Sequence, residues 1–134
     1  MKKIRNVYIS GLGAIGGAYG SRIFDSDPGS VNVIADSGRI RRYSETGIRI
    51  NGRLYPFKYV APEVGRGEAD LVLIAVKHHQ LEQSIADIEK YVSEDTVILS
   101  LLNGIVSEDA VGRKYGMDKI LHSFAVGTDA LRDG

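Results

Sequence analysis

The chain has 134 residues, enough for one domain with a proper hydrophobic core. It is 43% hydrophobic and 25% charged, and its 17 basic and 17 acidic residues cancel, so it lacks the basic excess usual in nucleic-acid-binding domains. With no cysteine it excludes disulfides and thiolate metal sites, and no apolar run nears the ~18 residues of a bilayer span.

The N-terminus, Met1-Lys2-Lys3-Ile4-Arg5, is basic but leads into a short strand-like run, Ile4 to Ile9, and not into a signal-peptide core. A cytoplasmic location is the expectation. A glycine-rich turn and a helix from Ala14 to about Phe24 follow, stopped by Asp27-Pro28-Gly29. Val31 to Ala35 is a second strand-like run. Arg39 to Glu45 reads as a helix with Gly47 as its stop. Ile48 to Ile50 and Leu54 to Tyr59, joined by Asn51-Gly52, read as a hairpin. Leu71 to Val76 is continuously apolar, as in a parallel strand buried on both faces. Leu81, Ile85 and Ile88 recur at helical spacing, Thr96 to Leu101 is a further strand, Glu108 to Tyr115 a short helix, and Ile120 to Val126 a last strand. The chain stops at Leu131-Arg132-Asp133-Gly134, which reads as a domain boundary. Strands alternating with helices predict an α/β fold over residues 1–134, a doubly wound, mostly parallel sheet with helices on both faces.

Gly11-Leu12-Gly13-Ala14-Ile15-Gly16 fits G-x-G-x-x-G. Its position, after a hydrophobic strand and opening a helix, makes the fold a Rossmann-type dinucleotide-binding domain by expectation. Gly11 allows the tight turn, Gly13 lets backbone approach a pyrophosphate, and Gly16 lets helix and strand pack closely; Gly17 and Gly20 suit the same packing. The helix N-terminus supplies anion binding. Asp36 closes the second strand roughly 20 residues on, where an acid usually holds the adenosine ribose and favours NAD. Arg39, Arg41 and Arg42 follow closely, and guanidinium groups suit a 2′-phosphate or a solvated helix face. The local chemistry leaves the cofactor's phosphate open.

Lys77 and Asn103 occupy strand ends, where such sheets bind ligands. Lys77 is either a ribose or carboxylate ligand or a solvent-facing lysine. Asn103-Gly104 is either a positioning amide or a turn. His78 and His79 are adjacent, so they do not face one way, and no metal site is expected. Ser10, Ser21 and Ser100 have no partnered base that would make one a nucleophile.

Four stretches in order carry a resemblance to the N-terminal domain of the ketopantoate reductase (2-dehydropantoate 2-reductase) family: Gly11 to Gly16 with Gly20; Ala69 to Lys77; Gln80-Leu81; and Leu102-Asn103-Gly104-Ile105. The first is generic to Rossmann domains; the "VK" and "LLNGI" strand ends are more specific. The resemblance implies reduction of a 2-oxo acid to a 2-hydroxy acid with NADPH, in pantothenate biosynthesis. It implies Gly11, Gly13 and Gly16 under the pyrophosphate, Leu12, Ala14 and Ile15 among the cofactor-binding residues of that loop, and Lys77 and Asn103 lining the cofactor and substrate cleft. Where the family usually carries an arginine for the 2′-phosphate this chain has Asp36, and Arg39 is placed to take over. The family's proton-donating lysine and a substrate-binding acid belong to a helical C-terminal domain that these 134 residues do not include. The expected partners are a small 2-oxo acid and, in solution, a second copy of the chain, with neither nucleic acid nor membrane. A non-catalytic dinucleotide-binding module and the nucleotide domain of another hydroxy acid dehydrogenase are the rival readings.

Overall fold

The β-branched and aliphatic runs become strands in the computed structural model, which describes residues 4–102 and 105–121. In chain order the elements are β1 (Val7–Ser10), α1 (Ala14–Ser26), β2 (Val31–Ile34), α2 (Ser37–Thr46), β3 (Ile48–Ile50), β4 (Arg53–Tyr55), β5 (Lys58–Val60), β6 (Leu71–Ile74), α3 (Leu81–Asp87), β7 (Val97–Ser100), α4 (Ile105–Tyr115) and β8 (Ile120–Leu121). Six strands form one sheet in the order β5-β2-β1-β6-β7-β8. Every pairing within it is parallel. This is the Rossmann-type architecture that the alternation of strand and helix predicts.

Alternation along each strand sorts the core into two layers. Val7 and Ile9 of β1, Val31 and Val33 of β2, Leu73 of β6 and Leu99 of β7 face one layer, with Phe24 and Ile23 of α1 packed against them. Tyr8, Val72, Ile74 and Ile98 face the other, which is closed by Leu81 and Ile85 of α3 and Val111 of α4. Ile9 and Ile74 are fully buried, and each such aliphatic side chain contributes about 1.5–3 kcal/mol through transfer from water. On α1, Gly20 gives β1 room: a Cβ there would lie 3.0 Å from Ile9 Cδ1. Gly17 faces the hairpin instead, where a Cβ would lie 3.4 Å from Ile50 Cδ1.

Two expectations are corrected. The hairpin exists, with Ile50 opposite Arg53 across Asn51-Gly52, both turn residues at positive φ as a two-residue primed turn requires. Its second strand, however, ends at Tyr55. Pro56 has no N–H to donate, Phe57 turns into the α1-side core, and Lys58–Val60 leaves the hairpin to pair with β2. The first strand starts at Val7 and not at Ile4, because the backbone N–H groups of Arg5 and Asn6 both donate to Asp70 Oδ2, at 2.9 Å each, and not to a neighbouring strand. The last strand is described only at Ile120–Leu121; the remainder of the run to Val126 lies outside the described residues.

Candidate functional site

Ile34, Ser10, Ile74 and Ser100 form one row across the sheet, so the residues just past that row share the carboxyl edge. The chain order reverses between β1 and β6, since β1 leads to β2 on one side and meets β6 on the other. Ligands of open α/β sheets bind at that reversal. A cavity of about 100 Å³ opens there, lined by Ser10, Gly11, Asp36 and Arg39 and, from the α3 side, by Gln80 and Ser84.

The three motif glycines answer to different demands. Gly11 sits at φ +101, and a Cβ there would come 2.7 Å from Val76 Cγ1 and 2.8 Å from the Ala75 carbonyl oxygen. A Cβ on Gly16 would collide with the Gly11 carbonyl oxygen and lie 3.0 Å from the Ala75 Cβ. Both glycines are therefore required by the turn itself. Gly13 is different: its φ of −75 suits any residue, and a Cβ would meet nothing within 4 Å. Among the described residues nothing asks for glycine at 13.

Helix α1 starts beside this open backbone. Its first intrahelical bond runs from the Gly17 N–H to the Gly13 carbonyl at 2.8 Å, which leaves the N–H groups of Ala14, Ile15 and Gly16 without an intrahelical acceptor. Among the described residues no side chain caps them, and the first turn carries no acid. Such a terminus attracts an anion. Leu12, between the glycines, packs toward the α1-side core.

Asp36 lies two residues past the end of β2 and is the N-cap of α2, its Oδ1 accepting from the Arg39 N–H at 2.9 Å. The Arg39 Nε lies 3.7 Å from Asp36 Oδ2, with side-chain exposures of 45% and 66%. An ion pair this exposed contributes about 0–1 kcal/mol, so its meaning is positional: a carboxylate fixed at the end of β2, with a guanidinium beside it. Arg41 and Arg42 are exposed on the helix beyond.

Lys77 is exposed just past β6, and its backbone N–H donates to Gln80 Oε1 at 3.2 Å. It stands next to Val76, which lines the cavity, but does not line it itself. Asn103 lies outside the described residues. His78 and His79 are exposed in the turn before α3, and no cluster that could hold a metal is present among the described residues. No helix there is long and apolar enough to cross a membrane. The sequence reading passed over Ser84, Gln83 and Asp87, which line the cavity from α3. The signal was a serine interrupting the apolar face of Leu81, Ile85 and Ile88. A second cavity, of about 420 Å³, lies between α2 and β4–β5, walled by Tyr43, Tyr55, Phe57 and Tyr59. It is larger, yet it stands away from the strand ends and the uncapped helix, where the groups that could bind an anion converge.

The sequence pattern of one protein family, ketopantoate reductase PanE/ApbA, matches residues 7–132. The chain belongs to that family. Among curated relatives, the 2-dehydropantoate 2-reductase of Streptococcus pyogenes serotype M1 is 29% identical over 93% of this chain and 42% of its own length. Among solved structures, D-mandelate dehydrogenase in its ternary complex with NADH and anilino(oxo)acetate is similar, with a TM-score of 0.75 and 28% identity over 87% of this chain and 39% of that one. The 2-dehydropantoate 2-reductase of Geobacter metallireducens GS-15 gives 0.69 and 29%, over 87% of this chain and 40% of that one. The chain thus spans about two fifths of the length of these relatives.

Proposed function

We propose that the chain binds a nicotinamide dinucleotide at the carboxyl edge of its sheet, as the nucleotide domain of an oxidoreductase that reduces a 2-oxo acid to the 2-hydroxy acid. Gly13 carries the reading. Glycine at a position with open space and ordinary φ is explained by a ligand lying against the backbone, and the uncapped start of α1 supplies the N–H groups for its phosphates. Gly11 and Gly16 keep the turn tight enough to present them. Asp36 would accept from the adenosine ribose, and Lys77 and Asn103 would line the nicotinamide and substrate side. The bound dinucleotide supplies hydride chemistry, while these residues hold and orient it.

For the choice of dinucleotide, family resemblance implies NADP(H), but the local geometry supports NAD(H) better. The Asp36 carboxylate is anchored by its capping bond, and the nearest guanidinium is turned onto it, so a 2′-phosphate would meet negative charge. NADP(H) remains the second reading, carried by Arg39. Calorimetric titration with both cofactors tests this, and NADH is expected to bind tighter, with Asp36→Ala erasing the preference. Tighter NADPH binding, reduced by about 1.5–3 kcal/mol in Arg39→Ala, would install the second reading. For the substrate, likeness to D-mandelate dehydrogenase favours an aromatic 2-oxo acid as the alternative to ketopantoate. A homodimer is the proposed assembly, read by the mass in solution.

A further inference from the structure

Ser10 and Ser84 meet at the wall of the same cavity, their Oγ atoms 2.6 Å apart across 74 residues of chain. They are 4% and 2% exposed. One hydrogen bond between two hydroxyls uses one of their two protons. The second finds no acceptor among the described residues: neither hydroxyl has another hydrogen bond there. Ser84 does not bond back one turn along its helix, as Ser21 does to the Ala18 carbonyl at 3.0 Å. A buried donor left unmade is costly, and alanine at both positions would fill the space without one. The surroundings are apolar on both elements, with Tyr8 two residues back on β1 and Leu81, Ile85 and Ile88 around Ser84 on α3.

We propose that this serine pair is a hydrogen-bond donor built into the adenosine side of the cleft, offering its remaining proton to a neutral acceptor of the nucleoside, a ring nitrogen or a ribose oxygen. The side follows from the lining: the cavity includes Asp36 and Arg39 at the end of β2 and Gln83 and Asp87 of α3, and excludes Lys77. The proposal rests on the dinucleotide reading above. The two hydroxyls are equivalent in this role, because a serine left alone can turn its one proton to the ligand.

That equivalence makes the idea separable from a purely structural bond tying α3 to β1. Ser10→Ala, Ser84→Ala and the double variant are titrated with NADH, AMP and nicotinamide mononucleotide, and their thermal midpoints recorded. Each single variant is expected to bind NADH and AMP within about twofold of the parent, and the double variant about fivefold to tenfold more weakly, the worth of one hydrogen bond. Nicotinamide mononucleotide affinity is expected to stay unchanged throughout. Single variants as weak as the double, or a double variant that binds AMP like the parent, would overturn the proposal and leave a structural pin. A parent chain that binds neither NADH, NADPH nor AMP removes the dinucleotide reading and this inference together. Parent binding that is untouched in the double variant removes the inference alone.

Discussion

Gly11, Gly13 and Gly16 lie within six residues, and the motif assigns each a different task. Their surroundings separate them. A side chain at 11 or 16 strikes neighbouring backbone, whereas one at 13 points into open space. Gly13→Leu is therefore expected to fold with a stability loss of at most about 1 kcal/mol, the scale of a changed helix cap, and to lose NADH binding by calorimetry. Gly16→Ala is expected to lower the denaturation midpoint itself. A Gly13→Leu protein that still binds NADH normally would take the loop out of the site. The sequence made this loop and Asp36 legible because their constraint is local: a turn, a cap, a helix start. Ser10 and Ser84 were not legible as a pair, since 74 residues of chain separate partners that only the β1–α3 packing brings together.

Strands announce themselves through apolar runs, and all of those expected were found at least in part; their ends were less legible. Side chains often replace the ladder there. Thr96 stands outside β7, its N–H turned to the Ser93 carbonyl at 3.2 Å, while its hydroxyl accepts from the Ser93 N–H at 2.8 Å and donates to the Ala69 carbonyl at 2.7 Å. The turn after α3 shows the same substitution. Tyr91 is buried there, its hydroxyl donating to the Ala61 carbonyl at 2.5 Å, its ring centroid 4.6 Å from that of Tyr8. Burial first, then the charges of Glu68, Tyr8 and Glu63, push its phenol up from 10.0 to about 12. The neutral phenol is thus favoured by folding. Its contribution is fully present below the unfolded value of 10.0 and is lost as pH rises through about 12, because the unfolded chain releases the proton first. Urea midpoints measured across this alkaline window should fall for the parent. In Tyr91→Phe they should start lower and fall less steeply. Parallel curves would mean that Tyr91 keeps an ordinary acidity.

At the scale of the molecule, the cleft holds few fixed charges among its described lining residues. Reduction of a carbonyl builds negative charge on its oxygen, which needs a proton donor or a fixed cation close by. The cations described near the carboxyl edge, Arg39 and Lys77, are exposed, and Arg39 is already turned to Asp36. The 134-residue chain is accordingly expected to bind dinucleotide yet oxidise NADH or NADPH near background with ketopantoate or an aromatic 2-oxo acid. Brisk turnover by the chain alone would make Lys77 a sufficient acid.

Helix α2 buries none of its residues, while its N-cap and its third residue bring Asp36 and Arg39 to the cavity. The part of the chain proposed to address the ribose is therefore one on which the core scarcely leans. Relatives could exchange one electron-carrying cofactor for the other by altering a few outward positions here, with the six parallel strands left as they were. In such a scaffold, a change of cofactor preference would leave the packing of the fold almost untouched.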